Sequence, residues 1–350
     1  MFSSFYLFPI ISAFFLTAFF AWCVKKIFPH VGLLDHPERY KLKRKPIPYP
    51  GGLAIFLGIT LSLIFFLPLD RHLIGVLLAA TLITTVSFID DLHPISPWLR
   101  LGFQFLAALI LINAGIKIFT ITNPFGGVIN LDLPFHFAIL GNIFTLGNLA
   151  NLFLIFWILM LMNTINWLDG VSGLVSGISA IAALIIFFLA IRQNFHFFDQ
   201  TQTATLAAIV FGSTSAFWFF DFHPPKILIG DTGTMLLGFL LATLAVLSGA
   251  KIATAFLVLG LPILDAGWVI LRRIINKQSP LHGDMGHLHH RLIAAGASEK
   301  KAILIIYFFA ATFGLSALFL NSFGKFIAII ILFLAMIALE IFTHFKSKNI

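Results

Sequence analysis

Charge is scarce in this chain. Only 10% of its 350 residues are Asp, Glu, Lys or Arg, and just 14 are acidic. A water-soluble domain of this length needs a polar shell over its core. With 59% apolar residues and a mean hydropathy of +1.01, no such shell can be assembled, so bilayer hydrocarbon must solvate most of the chain. Cysteine is nearly missing. The single Cys23 excludes an internal disulfide, has no Cys or His at metal-ligand spacing, and reads as an ordinary apolar residue. Internal repeats and low-complexity tracts are absent. No basic residue precedes the first apolar run, Phe2 to Trp22, whereas Lys25 and Lys26 follow it. A cleavable signal peptide has the reverse order, so the expectation is an uncleaved first helix with its N-terminus outside.

Apolar runs able to cross about 30 Å of hydrocarbon number about eleven, near 3–24, 52–68, 73–89, 98–115, 149–165, 170–191, 202–220, 231–248, 252–271, 301–320 and 325–343. The fold class expected is an all-α polytopic membrane protein, with 1–350 forming one integral membrane domain. Basic residues orient it. Arg71, Lys117, Arg192, Lys251 and Lys325 fall on one side, and the other 17 of the 22 on the side of residues 24–51. The positive-inside rule makes that second side cytoplasmic, with the C-terminus there too. The net charge of +8 is therefore a topology signal, which also suits anionic headgroups and phosphates rather than nucleic acid. In the outer segment 116–148, Ile116, Ile118 and Thr120, a turn at Asn123-Pro124-Phe125-Gly126-Gly127, then Ile129, Leu131 and Leu133 predict a short external β-hairpin.

On this topology only Asp70, Asp132 and Asp199 lie outside, and Glu340 sits in the last span near its inner end. The other ten acids gather at the inner face. Acids near hydrocarbon are costly and mark function. Four clusters carry the chemistry. Asp90-Asp91 end the third span; adjacent carboxylates favour a cation or proton between them, or simply cap the helix. Asn163, Asn166 and Asp169, spaced three apart before Gly170, share much of a helix face, either as a site or as interhelical hydrogen-bonding. Gly230-Asp231-x-Gly233 opens the eighth span, where Asp231 is an N-cap or a ligand for a hard cation bridging to phosphate. His287-x-His289-His290-Arg291 is a dense donor patch for a diphosphate or sugar; zinc is the competing reading, against which stand the missing cysteines and the hard oxygen ligands around it.

These clusters, in this order among the spans, resemble the polyprenyl-phosphate N-acetylhexosamine-1-phosphate transferase family (glycosyltransferase 4-like). The first inner loop matches too, with Asp35-x-Pro37, Lys45-Pro46-Ile47-Pro48 and Gly51-Gly52. Where the family commonly has Arg-Lys-x-His, this chain has Tyr40-Lys41-Leu42-Lys43, so Lys43 stands in the place of the His. The resemblance implies transfer of a sugar-1-phosphate from a UDP-N-acetylhexosamine to undecaprenyl phosphate, with Mg²⁺ (or Mn²⁺) and release of UMP. It implies a bacterial inner membrane enzyme with a cytoplasmic site, and a homodimer is compatible with it. The histidine pattern resembles the undecaprenyl-phosphate N-acetylglucosaminyl-1-phosphate transferase branch. The muramoyl-pentapeptide branch typically shows three consecutive histidines, an aromatic and an acid, which are absent here.

Expected roles follow from that resemblance. Asp231 and Asp169 hold the metal. Asp90, Asp91, Asp231, His289 and His290 are catalytic. Asn163, Asn166, Asp169, His287, Arg291, Lys41 and Lys45 bind substrate, with Arg273 and Asp265 as secondary candidates. A transporter would sooner place polar groups at the midplane of repeated halves, and a purely structural membrane protein would not gather Asp, Asn and His on one face.

Overall fold

A computed structural model describes residues 4–40, 44–139, 142–192, 198–249, 252–279 and 286–347. Helices dominate: α1 (Leu7–Ile27), α2 (Gly52–Phe66), α3 (Arg71–Leu92), α4 (Pro97–Asn113), α5 (Leu149–Trp167) and α6 (Leu174–Arg192). After them come α7 (Gln200–Asp221), α8 (Gly230–Leu247), α9 (Ile252–Ile275), the short α10 (Leu288–Ala294), α11 (Glu299–Phe319) and α12 (Ser322–Ser347). Among the described residues nine helices are long and apolar enough to cross a membrane, and α2 and α4 are shorter apolar helices. Together these eleven occupy the eleven apolar runs of the sequence. Short polar residues start several of them: Asp70, Ser96, Asp199 and Ser298 accept from backbone N–H groups in the first turns of α3, α4, α7 and α11.

The stretch expected to hold one β-hairpin holds two antiparallel pairs. β1 (Thr120–Thr122) pairs with β2 (Val128–Asn130), with Ile121 opposite Ile129. β3 (Pro134–Ile139) pairs with β4 (Asn142–Asn148), which runs directly into α5. The alternation that marked the first pair is not matched by a comparable turn signal in the second, which therefore escaped the reading.

α8 is the axis of the bundle. It is buried along nearly its whole length, between α2, α3, α5, α6 and α7. In contrast, α1 and α12 expose rows of Phe, Ile and Leu, as helices facing lipid do. A Cβ on Gly52 would collide with the backbone of Gly233, and one on Gly238 with that of Met162. Small residues thus let α8 approach α2 and α5 backbone to backbone. Buried polar groups between helices are paired: the Trp157 indole donates to the Ala242 carbonyl at 3.1 Å, and Thr17 and Ser213 share a 2.7 Å hydroxyl bond.

The hairpins and the ends carrying Asp91, Asp169 and Asp231 lie at opposite ends of the helices. Phe125, 76% exposed in the β1–β2 turn, and Gln278, exposed beyond α9, are therefore probes of orientation. In a Cys23→Ser background, Phe125→Cys should react with an impermeant maleimide in intact cells and Gln278→Cys only after lysis. The inverse pattern would overturn the orientation read from the basic residues.

Candidate active site

The site is assembled around the first turn of α8, which has no side-chain cap of its own. Asp91, from the end of α3, supplies it. Its Oδ1 accepts the Asp231 N–H at 2.9 Å and the Tyr49 hydroxyl at 2.5 Å. Its Oδ2 accepts both the N–H and the hydroxyl of Thr232, at 2.9 and 2.5 Å. A carboxylate at a helix N-terminus gains from both the hydrogen bonds and the helix dipole. Burial and the Asp91 charge keep the Tyr49 phenol protonated well beyond its usual range, so it is the donor toward Asp91. Gly230, at φ +71°, makes the turn into α8 with Pro50, Tyr49 and Asp91 packed against its Cα, where a side chain would be both strained and blocked.

The loop between α1 and α2 is fastened to the same turn. Asp35 accepts two nitrogens of Arg44, at 3.2 and 2.6 Å, and the Ile47 N–H at 2.7 Å. Leu228 donates to the Pro48 carbonyl at 3.1 Å, while Gly51 and Gly52 donate to Leu228 and Ile229 at 2.7 and 2.8 Å. Lys45 is exposed beside this loop. Lys41 and Lys43 lie outside the described residues.

Asp90 and Asp91, neighbours in sequence, have separate tasks. Asp90 Oδ1 accepts the Ile95 N–H at 2.8 Å, and its Oδ2 is 3.2 Å from Arg100. The same Arg100 nitrogen donates to Asp231 Oδ2 at 3.0 Å. The other Asp231 oxygen accepts from Asn166 at 2.9 Å, and Asn166 also donates to Thr234. One turn earlier, Asn163 donates to Gln104 and to the Leu159 carbonyl, both at 2.8 Å. Asn166 thus reaches the site, while Asn163 joins α5 to α4.

Asp169 is exposed at the end of α5. Its surroundings nonetheless desolvate it, and the charges of Asp221, Asp231 and Asp91 add to that, holding its carboxyl well above the usual range. Gly170 beside it meets the Nε2 edges of His289 and His290, and a Cβ there would strike both rings. This contact brings the Asn-Asn-Asp and histidine motifs together. The loop after it is clamped at Gly173. The Gly173 N–H donates to Asp221 at 3.0 Å, and its carbonyl accepts from Tyr307 of α11. Asp221 also accepts from Ser176 at 2.7 Å, and the Trp218 indole donates to Tyr307 at 3.1 Å.

Asp265, 2% exposed within α9, organises the histidine patch. It takes the His287 ring at 2.8 Å, the Leu288 N–H at 2.8 Å and Arg291 at 3.0 Å. Arg291 also pairs with Glu340 of α12. His287 and Arg291 are thereby held by protein carboxylates. His289 is the exception: it is 1% exposed, and neither ring nitrogen has a hydrogen-bond partner among the described residues. Burial and the neighbouring His290, His287 and Arg291 charges lower its pKa to about 2, so the ring is neutral and offers one donor and one acceptor. Orphaned buried polar atoms beside Gly170 are what a ligand would satisfy. Asp284 and His282, which stand just ahead of this patch in the sequence, lie outside the described residues.

Among the described residues no three His, Cys, Asp or Glu side chains form a metal cage. A Mg²⁺ ion does not require one, since it usually keeps several waters and takes one or two carboxylates plus substrate phosphates. The Asp231 and Asp90 oxygens, held on a shared cation, fit that donor chemistry.

Residues 73–249, just over half the chain, match the family described as "Glycosyl transferase family 4". The chain belongs to this family. A probable undecaprenyl-phosphate N-acetylglucosaminyl 1-phosphate transferase of Bacillus subtilis (strain 168) is 31% identical over 325 residues, 91% of this chain and 86% of the relative. An undecaprenyl-phosphate alpha-N-acetylglucosaminyl 1-phosphate transferase of Pasteurella multocida (strain Pm70) is 32% identical over 340 residues, 91% and 88% of the two chains. A decaprenyl-phosphate N-acetylglucosaminephosphotransferase of Mycolicibacterium smegmatis is 25% identical over 320 residues, covering 83% and 76%. The matched family segment contains Asp90, Asp91, Asn163, Asn166, Asp169 and Asp231, together with Arg100 and Asp221. The histidine patch lies beyond it, within the reach of the relatives.

Sequence reasoning passed over Arg100, counted only for topology, and Asp221, Tyr49, Gln104 and Tyr307. Asp221 carried a signal, being an acid at the end of an apolar run. The others become visible only through their partners. The Gly173 clamp yields a prediction. Tyr307→Phe removes the hydroxyl that holds the Gly173 carbonyl and leaves buried partners unmet, a cost of about 1–3 kcal/mol. We expect a lower melting temperature and a KM for the nucleotide-sugar raised several-fold, with kcat changed less. An unchanged KM would show that the clamp does not set the Asp169 loop.

Proposed function

We propose that the protein transfers N-acetylglucosamine-1-phosphate from UDP-N-acetylglucosamine to undecaprenyl phosphate, releasing UMP, at the cytoplasmic face of a bacterial inner membrane. The observation that carries this reading is the meeting of the carboxylate and amide motifs at the first turn of α8, with the histidine patch against Gly170 at the end of the amide motif. The family and the printed activities of the relatives supply the substrate class. Attack on phosphorus needs charge neutralisation around the transferred phosphoryl group and an in-line acceptor. It does not need a strong base, because a phosphate monoester with a second pKa near 6 is already largely dianionic at pH 7.

In this mechanism Asp231, with Asp90 beside it and Asp169 nearby, would hold Mg²⁺. When bound, the ion neutralises charge on the donor diphosphate. Asn166 orients the Asp231 carboxylate. Asp91 is a positioning residue: four protein donors already occupy it, so it fixes the α8 turn rather than touching substrate, and Asp90 keeps one oxygen, shared with Arg100, for the metal. His289, neutral and unpartnered, donates to the donor phosphate or sugar, and His290 lies beside it. His287 and Arg291, bound by Asp265 and Glu340, hold that patch in place. Asn163 supports α5 from α4. Lys41 and Lys45, on the first inner loop, contribute charge toward the nucleotide.

Two results test this. Asp231→Asn is nearly isosteric and removes the charge a hard cation requires. Turnover should fall by at least about 100-fold, as for loss of a main electrostatic group, while the protein still inserts and folds. Asp199→Asn, at the far end of α7 where Asn also caps, should stay near wild type. Near-normal turnover of Asp231→Asn at ordinary Mg²⁺ would remove Asp231 from the site.

The second concerns the bond broken. Attack at phosphorus releases UMP with a lipid diphosphate sugar, and excess UMP drives the reaction backward, since one phosphoanhydride replaces another. Attack at the anomeric carbon would release UDP and leave a lipid monophosphate sugar. Chromatography of the nucleotide product decides, and UDP as the primary product would refute the reaction class.

A further inference from the structure

Asp90 and Asp231 meet through a single atom. One Arg100 nitrogen lies 3.2 Å from Asp90 Oδ2 and 3.0 Å from Asp231 Oδ2. The second oxygen of each carboxylate is already committed, Asp90 Oδ1 to the Ile95 N–H and Asp231 Oδ1 to Asn166. The two remaining oxygens therefore converge on one point, and a cation occupies it. The Arg44–Asp35 pair on the same face is built differently. Arg44 grips Asp35 with two nitrogens on two oxygens, the fork geometry that gives a guanidinium its strength. Arg100 instead serves as a point charge.

We propose that Arg100 is a built-in stand-in for the divalent cation: guanidinium and metal compete for the same oxygens of Asp90 and Asp231, and metal binding displaces the side chain. The inference rests on the reading that Asp231 ligates Mg²⁺. Two carboxylates brought together with side chains only 8% and 29% exposed repel each other unless a cation or proton is shared between them. With Arg100 in place, the metal-free site keeps the geometry that the metal needs. Arg100 projects from the first turn of α4, whose backbone is fixed by Ser96 accepting the Leu99 N–H. Its side chain is partly open to solvent, so it can withdraw without moving the helix. The site is thereby preorganised, and the metal is held less tightly than the bare carboxylates would hold it.

Competition differs measurably from a permanent salt bridge. Arg100→Gln should tighten Mn²⁺ binding, read from the free Mn²⁺ signal in electron paramagnetic resonance of the detergent-purified full chain. The expected gain is at least about fivefold, the low end of coupling between linked binding events. The same variant should melt well below wild type in chelator and close to it in saturating Mn²⁺, because only the metal-free state needs the guanidinium. The variant is purified in Mg²⁺, and unfolding on chelation alone is the extreme form of that result. Arg100→Lys, which keeps the charge, should show a smaller gain in affinity and a smaller loss in chelator. Equal melting losses with and without Mn²⁺, or unchanged or weaker Mn²⁺ binding by Arg100→Gln, would overturn the proposal. If neither wild type nor variant binds Mn²⁺, the metal reading itself fails, and that outcome is distinct from the others.

Discussion

Everything at the site depends on one carboxylate accepting the exposed N–H groups of a helix that has no cap of its own. Helix starts leave several backbone donors unmet, and α8 begins in a buried place where water is a poor substitute. Asp91 meets two of them from another helix, and adds the hydroxyls of Thr232 and Tyr49. Because its four bonds tie α3, the α1–α2 loop and α8 together, the Asp231 carboxylate one residue into the helix has a fixed position. Removing Asp91 would therefore unmake the site without removing any group that the substrate touches.

The same device recurs. Asp35 closes the first loop on Arg44 and Ile47. Asp221 holds Gly173 and Ser176 behind Asp169. Asp265 holds His287, Leu288 and Arg291 below α10. Each is a buried or nearly buried acid that accepts from a backbone N–H group and a neighbouring donor, the pairing that an acid near hydrocarbon calls for. The chain thus spends many of its few carboxylates as joints between segments. It leaves Asp90, Asp169 and Asp231 to the chemistry, with Arg100 rather than a structural donor between two of them.

Much of this architecture was legible in the chain. Long apolar runs become helices because nothing else satisfies backbone groups in hydrocarbon, so the runs and the observed helices coincide within a few residues. The motifs were legible as well, since Asp, Asn and His are expensive near a bilayer and stand out there. Less legible was the second hairpin. Strand pairing depends on a partner, and residues 134–148 carry no turn signal as strong as Asn123-Pro124-Phe125-Gly126-Gly127.

Residue type and spacing alone determined that the chain spans a bilayer, that its basic residues favour one side, and that its acids, amides and histidines gather at one face. Tertiary structure decided the division of labour among them. Asp90 and Asp91 are indistinguishable as a sequence pair. They separate because successive side chains on a helix point about 100° apart, which aims Asp91 at the α8 start and Asp90 at Arg100. Asn163 and Asn166, equally spaced and equally polar, part company because Gln104 of α4 stands beside one and Asp231 beside the other. Arg291 reads as a phosphate donor until Asp265 and Glu340 are found on either side of it. Which partner a side chain meets is set by how helices distant in sequence pack, and no local pattern carries that information.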